Sequence, residues 1–257
     1  MSKNTNHLAH HGIKGQKWGV RRWQYEDGSL TPEGYIHYYG HGKKEAQGVV
    51  KKVTRAISGK TDSDDYAEER KNAPVDPKTG LGLKTKYMSD VEDLKRINPD
   101  FGKPGYSKNC YKCTVTYDLR RRGYDVAAGE AYSGYLISET KRFYKNPVIM
   151  ADKSMEDAES QILSQGNGAR GNICAYFKAG GGHSVAYEVN NNKVYILDGQ
   201  NNQKYTYSEF FGWIDGKQHA DKYDTSYFDN VSYCRLDDRE PNIEQMKKEG
   251  IIKYGKR

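Results

Sequence analysis

No run of 18 apolar residues occurs in this 257-residue chain, so nothing in it reads as a membrane-spanning helix. Cysteine is scarce. Four residues are too few at this length for a disulfide scaffold, and no secretory signal precedes them. The expectation is a soluble protein made in a reducing cytoplasm. Phenylalanine is sparse too, at 6 residues. A hydrophobic fraction of 35% and a mean hydropathy of −0.98 are low for one compact core of this length, so part of the chain is expected not to pack. No internal repeat is present. What abounds is tyrosine, at 22 residues, a side chain suited to half-buried strands and wet surfaces. The formal charge of +7 suits nucleic acid, an acidic partner or a membrane surface, and singles out none of them.

The chain divides into four stretches. Residues 1–42 hold His7, His10, His11, His37 and His41 together with Trp18 and Trp23. Glycines cut this stretch into pieces too short for long helices, and the histidine bias suits a docking tail better than a metal site. Residues 43–84 begin with "EAQGVVKKVTRAIS", where Val49, Val53 and Ile57 give a short basic amphipathic helix. A polar linker punctuated by Pro74 and Pro77 follows. Residues 85–240 carry the periodic segments, and 241–257 read as a frayed basic tail.

Within 85–240, Ser89 and Glu92 form a capping-box pattern ahead of a short helix closed by Pro99. A helix is predicted from about Cys110, with Tyr111, Val115 and Leu119 on one face and Gly123 as its stop. "YDVAA" reads as a short strand, and a second helix runs from its cap, Ser154, to Gly166. "NICAYFKA", "HSVAYEV" and "KVYILDG" alternate as strands, the last two joined by an Asn-rich turn. "SEFFGW" suggests a helical turn and "VSYCRL" a last strand. The class is α+β.

Cys110 lies where the loop "FGKPGYSKN" meets the predicted helix. Free backbone N–H groups and the partial positive charge there favour a thiolate, and the same groups could hold an oxyanion. Cys113, one turn in, lacks this advantage. A cysteine nucleophile needs a base and an orienting group. "GGGHSVAYEVNNNKVYILDGQ" offers His183 and Asp198. With a two-residue turn at Asn191–Asn192 they are diagonal neighbours on one sheet face; a three-residue loop would separate them.

"NCYKCTVTYDLRRRGYDVAA" and "GARGNICAYFKAGGGHSVAYEVNNNKVYILDGQ" resemble the papain-fold toxin domains of bacterial polymorphic toxin systems, which include predicted protein-glutamine deamidases. The resemblance covers roughly residues 85–236. It implies a nucleophile-bearing helix packed on an antiparallel sheet, with Cys110 as nucleophile, His183 as base and Asp198 as the orienting residue, and no cofactor. Asn109 is implied as an oxyanion donor and Gln200 as a site-lining side chain. One departure stands out: papain proteases carry a glutamine just before the cysteine, and "GKPGYSKN" has none, which weighs against efficient peptide-bond cleavage. The front, "HHGIKGQKWGVRRWQ…EDGSLTPEGYIHYYG", resembles an N-terminal segment of phage and prophage virion-associated proteins. It implies packaging or docking on phage structural proteins through residues 1–42. The implied location is a phage virion or the host cytoplasm; the implied partners are a host protein substrate and an immunity protein.

Other readings compete. Cys110, Cys113, Cys174 and His183 are four zinc-ligand types, but without two close-spaced pairs on turns. A thioredoxin-type C-x-x-C should follow a strand in a βαβ unit, and none is visible. Cys113 and Cys174 read as core thiols. Arg120 to Arg122 read as a solvated helix face rather than a phosphate site. A non-catalytic virion protein is the alternative from outside enzymology. Within the same site, a cysteine protease and a transglutaminase remain open beside the deamidase.

Overall fold

The structure, a computed structural model, describes residues 73–214, 217–218 and 223–254. The expected N-terminal segment and the 45–58 helix lie outside the described residues. Six α-helices are described: α1 (Asp90–Leu94), α2 (Cys110–Arg121), α3 (Thr140–Phe143), α4 (Met155–Leu163), α5 (Tyr207–Phe211) and α6 (Ile243–Lys248). The strands are β1 (Ala127–Ala128), β2 (Ile149–Lys153), β3 (Arg170–Phe177), β4 (Gly182–Asn190), β5 (Lys193–Asp198), β6 (Gln203–Thr206), β7 (Trp213–Ile214), β8 (Lys217–Gln218), β9 (Phe228–Arg235) and β10 (Ile252–Lys253).

The alternating runs make a six-stranded sheet of order β2-β9-β3-β4-β5-β6, antiparallel throughout. Its residues divide by parity, as a period of two demands. Ile173, Ala175, Val185, Tyr187, Val189, Val194, Ile196 and Val231 pack on one face against Met155, Ala158 and Ile162 of α4 and Tyr207 and Phe211 of α5. Cys174, Ala186 and Leu197 face the other way, onto α2. The fold is α+β, a sheet between helices.

Helix α2 is the most enclosed element, buried from Tyr111 to Arg120. Cys113 and Tyr117 lie against Ala186 and Leu197. Tyr111, Val115 and Leu119 join Cys174, Phe143 and Ile251 in a second cluster. Gly123, at φ 101°, turns the chain out of the helix as expected. The arginines are not solvated, contrary to the sequence reading. Arg120, fully buried, reaches Asp93 Oδ1 (3.1 Å) and Asp125 Oδ1 (2.9 Å). Arg121 meets Glu188 Oε2 at 3.2 Å, and Arg122 meets Asp118 Oδ2 at 2.7 Å. A run of like charges looks solvated because its counter-ions are scattered along the sequence, from residue 93 to 188.

Three further corrections concern boundaries. The folded unit begins by residue 73, not 85: Ala73, Leu81 and Leu83 are buried, and Asp76 accepts hydrogen bonds from Lys78 N–H and the Thr79 and Tyr124 hydroxyls. Residues 241–254 are not frayed. Ile243, Met246, Ile251 and Ile252 are buried, β10 pairs with β1, and Lys112 Nζ donates to the Gly250 carbonyl at 2.8 Å. The lysines that make this stretch look like a tail have partners far along the chain: Lys247 reaches the Thr79 carbonyl, and Lys253 meets Asp100. Edge strand β2, which the sequence reading passed over, pairs with β9 through an irregular register.

Candidate active site

The turn between β4 and β5 brings the candidate residues together. Asn191 and Asn192 take φ of 50° and 55°, the left-handed region that asparagine tolerates and a two-residue hairpin needs. Pairing runs from Asn190–Lys193 to Ala186–Leu197, the register of the two-residue turn. His183 and Asp198 therefore share a face, and His183 Nε2 lies 2.8 Å from Asp198 Oδ2.

The same register opens a gap. Hydrogen-bonded pairs alternate along antiparallel strands, so those at 190/193, 188/195 and 186/197 would be followed by Ser184 and Gly199. The ladder stops before that pair. The Ser184 N–H is thereby released, and it donates to the Cys110 sulfur. Helix α2 runs beside β4 in the same direction: the Thr114 and Ser184 hydroxyls share a hydrogen bond (3.3 Å), and the Tyr117 hydroxyl donates to Glu188 at 2.6 Å. One turn before Thr114, Cys110 comes level with His183. With Nε2 turned to Asp198, the other imidazole nitrogen is left for Cys110, and the two side chains are hydrogen-bonded.

Burial pushes the Cys110 thiol up. The His183 hydrogen bond and charge, helped by the N–H groups of Ser184 and Tyr111, outweigh this and hold it below the ordinary value of 9.0. For His183 burial works downward, but Asp198 and Cys110 win, and it is pushed up to about 10. Asp198 is raised by burial yet ends below 3.8, because His183 and Asn201 bond to it. Both shifts favour the thiolate–imidazolium pair over the neutral thiol and imidazole. Cys110 is partly exposed, so the pair is open to a substrate.

Asp198 is held on every side. Its Oδ1 accepts from the Gln200 and Asn201 N–H groups (3.0 and 3.2 Å), and Oδ2 accepts from Asn201 Nδ2 at 2.8 Å as well as from His183. Asn201 was missed in the sequence, although an aspartate followed three residues later by asparagine is a recognisable local turn. Phe210, also missed, lies over the imidazole with ring centroids 6.5 Å apart. Nothing in its spacing from His183 marks it.

Asn109 is not placed as an oxyanion donor. Its Nδ2 donates to Asn98 Oδ1 and the Gly129 carbonyl (both 3.1 Å), and Oδ1 accepts from Gln200 Nε2 at 3.3 Å. Asn109 and Gln200 thus tie the loops around the site, and Gln200 also lines a pocket of about 260 Å³ with Asn98 and Phe101. The donor left for an oxyanion is the Cys110 N–H, which at the first helical position has no intrahelical partner.

The other thiols are buried. Burial raises Cys113 well above 9.0, Cys174 to about 11 and Cys234 to about 12. Among the described residues, no three His, Cys, Asp or Glu side chains converge as a metal-ligand group. Nor, among them, is any helix long and apolar enough to cross a membrane.

No protein-family model, curated protein or solved structure matches the chain.

Proposed function

We propose that the protein is a cysteine-dependent amidohydrolase of papain type, an effector that deamidates glutamine side chains of proteins. The observation that carries this reading is the unbroken line from the Cys110 sulfur through the His183 imidazole to the Asp198 carboxylate. The thiolate attacks the carboxamide carbon, and the oxyanion turns to the Cys110 N–H at the start of α2. His183 passes its proton to the departing ammonia, which leaves a thioester. It then takes a proton from water, and hydrolysis releases glutamate and the thiol.

A protease or a transglutaminase would use the same triad with another leaving group or acceptor. The likeness of residues 1–42 to virion-associated segments suits an effector delivered by a phage particle.

The test expresses the full chain, wild type and Cys110→Ala, in a bacterial host and surveys the proteome by mass spectrometry. Gln→Glu conversions that need the cysteine support the reading. New chain termini would replace it with proteolysis, and Gln–Lys cross-links with transamidation. None of the three in the wild type sinks the enzyme.

A further inference from the structure

Cys113 takes no part in this chemistry, yet it shares the gap beside Ser184. The Cys110 sulfur sits there on the Ser184 N–H. On the far side of the gap is Gly199, where an added Cβ would lie 3.2 Å from the Cβ of Cys113 and 3.0 Å from Ile97 Cγ2. The Cys113 Cβ thus lies on the Gly199 side of that opening, near enough to Cys110 for the charge of one to act on the other. Cys174 is on β3, on the other side of β4 from that space, and its sulfur is hydrogen-bonded to the Tyr176 hydroxyl.

We propose that Cys110 and Cys113 form a reversible disulfide on exposure to peroxide, which takes the nucleophile out of service and protects it from further oxidation. The inference rests on Cys110 being the reactive thiol. Residues three apart in a helix have Cα atoms about 5 Å from one another, within the roughly 4.4–6.8 Å that a disulfide spans. Their Cβ atoms, at about 5–6 Å, must close to roughly 4 Å, so the first turn of α2 has to tighten. It is lightly held. The Asn109 side chain does not cap it, and one bond from Cys113 N–H to the Asn109 carbonyl (2.9 Å) closes the turn.

The steps balance. The Cys110 thiolate attacks one peroxide oxygen, the O–O bond breaks, and a sulfenic acid and hydroxide form. Sulfur is oxidised and peroxide reduced. The Cys113 sulfur then displaces the sulfenic oxygen. The Cys113 proton leaves with it as water, and the S–S bond remains. An added dithiol restores both thiols.

The full-length reduced protein is treated with hydrogen peroxide, blocked with iodoacetamide and digested with trypsin, which cuts after Lys108, Lys112 and Arg120. The expected result is the peptide Asn109–Lys112 joined to Cys113–Arg120, with Cys110 labelling lost and then regained after dithiothreitol. In Cys113→Ser and Cys113→Ala, Cys110 should label like wild type before peroxide and become sulfinic, beyond reach of dithiothreitol, after it. Sulfinic Cys110 in the wild type, or a link from Cys110 to Cys174 or to a second chain, overturns the proposal. Because the readout is thiol chemistry, joined peptides in a protein that deamidates nothing would sink the functional reading alone.

Discussion

Replacing Asp198 with asparagine keeps the volume of the side chain and removes the charge that faces His183. The rise of His183 from 6.5 to about 10 corresponds to about 5 kcal/mol of preference for the imidazolium, at roughly 1.36 kcal/mol per pKa unit. Asp198 and Cys110 supply it against burial, and Asp198 supplies the larger hydrogen-bond contribution. Without it His183 falls back toward 6.5, and Cys110, facing a neutral ring, climbs toward 9.0. The assay is the rate of iodoacetamide alkylation at Cys110 across pH, followed by peptide mass. The wild type should show a step below 9.0, where the thiolate forms, and a second near 10, where His183 gives up its proton. In Asp198→Asn the steps move toward each other, and reactivity at pH 7 drops toward that of an ordinary thiol, of which about 3% is ionised. An unchanged two-step profile in a folded Asp198→Asn protein would refute the thiolate–imidazolium pair.

The pair also sets a pH window for stability. His183, raised, contributes stability that is complete below pH 6.5 and lost as pH rises through about 10. Cys110, lowered, contributes above 9.0 and loses it as pH falls through its folded value. His183→Ala should therefore flatten the alkaline fall in thermal stability. Arg120→Met should cost about 3 kcal/mol in urea unfolding, the low end for breaking a buried ion pair, because it takes the guanidinium from the buried Asp93 and Asp125 carboxylates while Lys84 stays on Asp93 at 2.8 Å. Asn109→Ala should cost about 1–3 kcal/mol by taking the partner from Asn98 Oδ1 and from Gln200 Nε2, with Cys110 alkylation little changed. A large loss of turnover at wild-type stability would instead restore Asn109 as an oxyanion donor. A chain ending at 240 loses Ile243, Met246, Ile251 and Ile252. At roughly 1.5–3 kcal/mol for each it should not fold, and a cooperative melt from that truncation would count against the packing described.

Much of the site is legible in the order of the residues. The Cys110 helix start, the Ser89–Glu92 capping box and the Asn191–Asn192 turn are written in local residue chemistry, and all three appear where that chemistry requires. The turn matters most, because a one-residue change of register would send His183 and Asp198 to opposite faces. What the sequence conceals is everything settled by partners far along the chain. The Arg120–Arg122 run reads as solvated because Asp93 and Glu188 are distant in sequence. Residues 241–254 read as a tail because β1 lies more than a hundred positions earlier.

Local propensity and a period of two thus determined the elements, the hairpin register and the shared face of His183 and Asp198. Tertiary packing alone decided that the ladder ends short of Ser184 and Gly199, so that an N–H is free for the Cys110 sulfur. It decided too that Asn109 faces Asn98 rather than the nucleophile. The physical reason is the same in both cases: where a buried polar group finds its hydrogen bond depends on which elements meet in space, and periodicity along the chain carries no record of that.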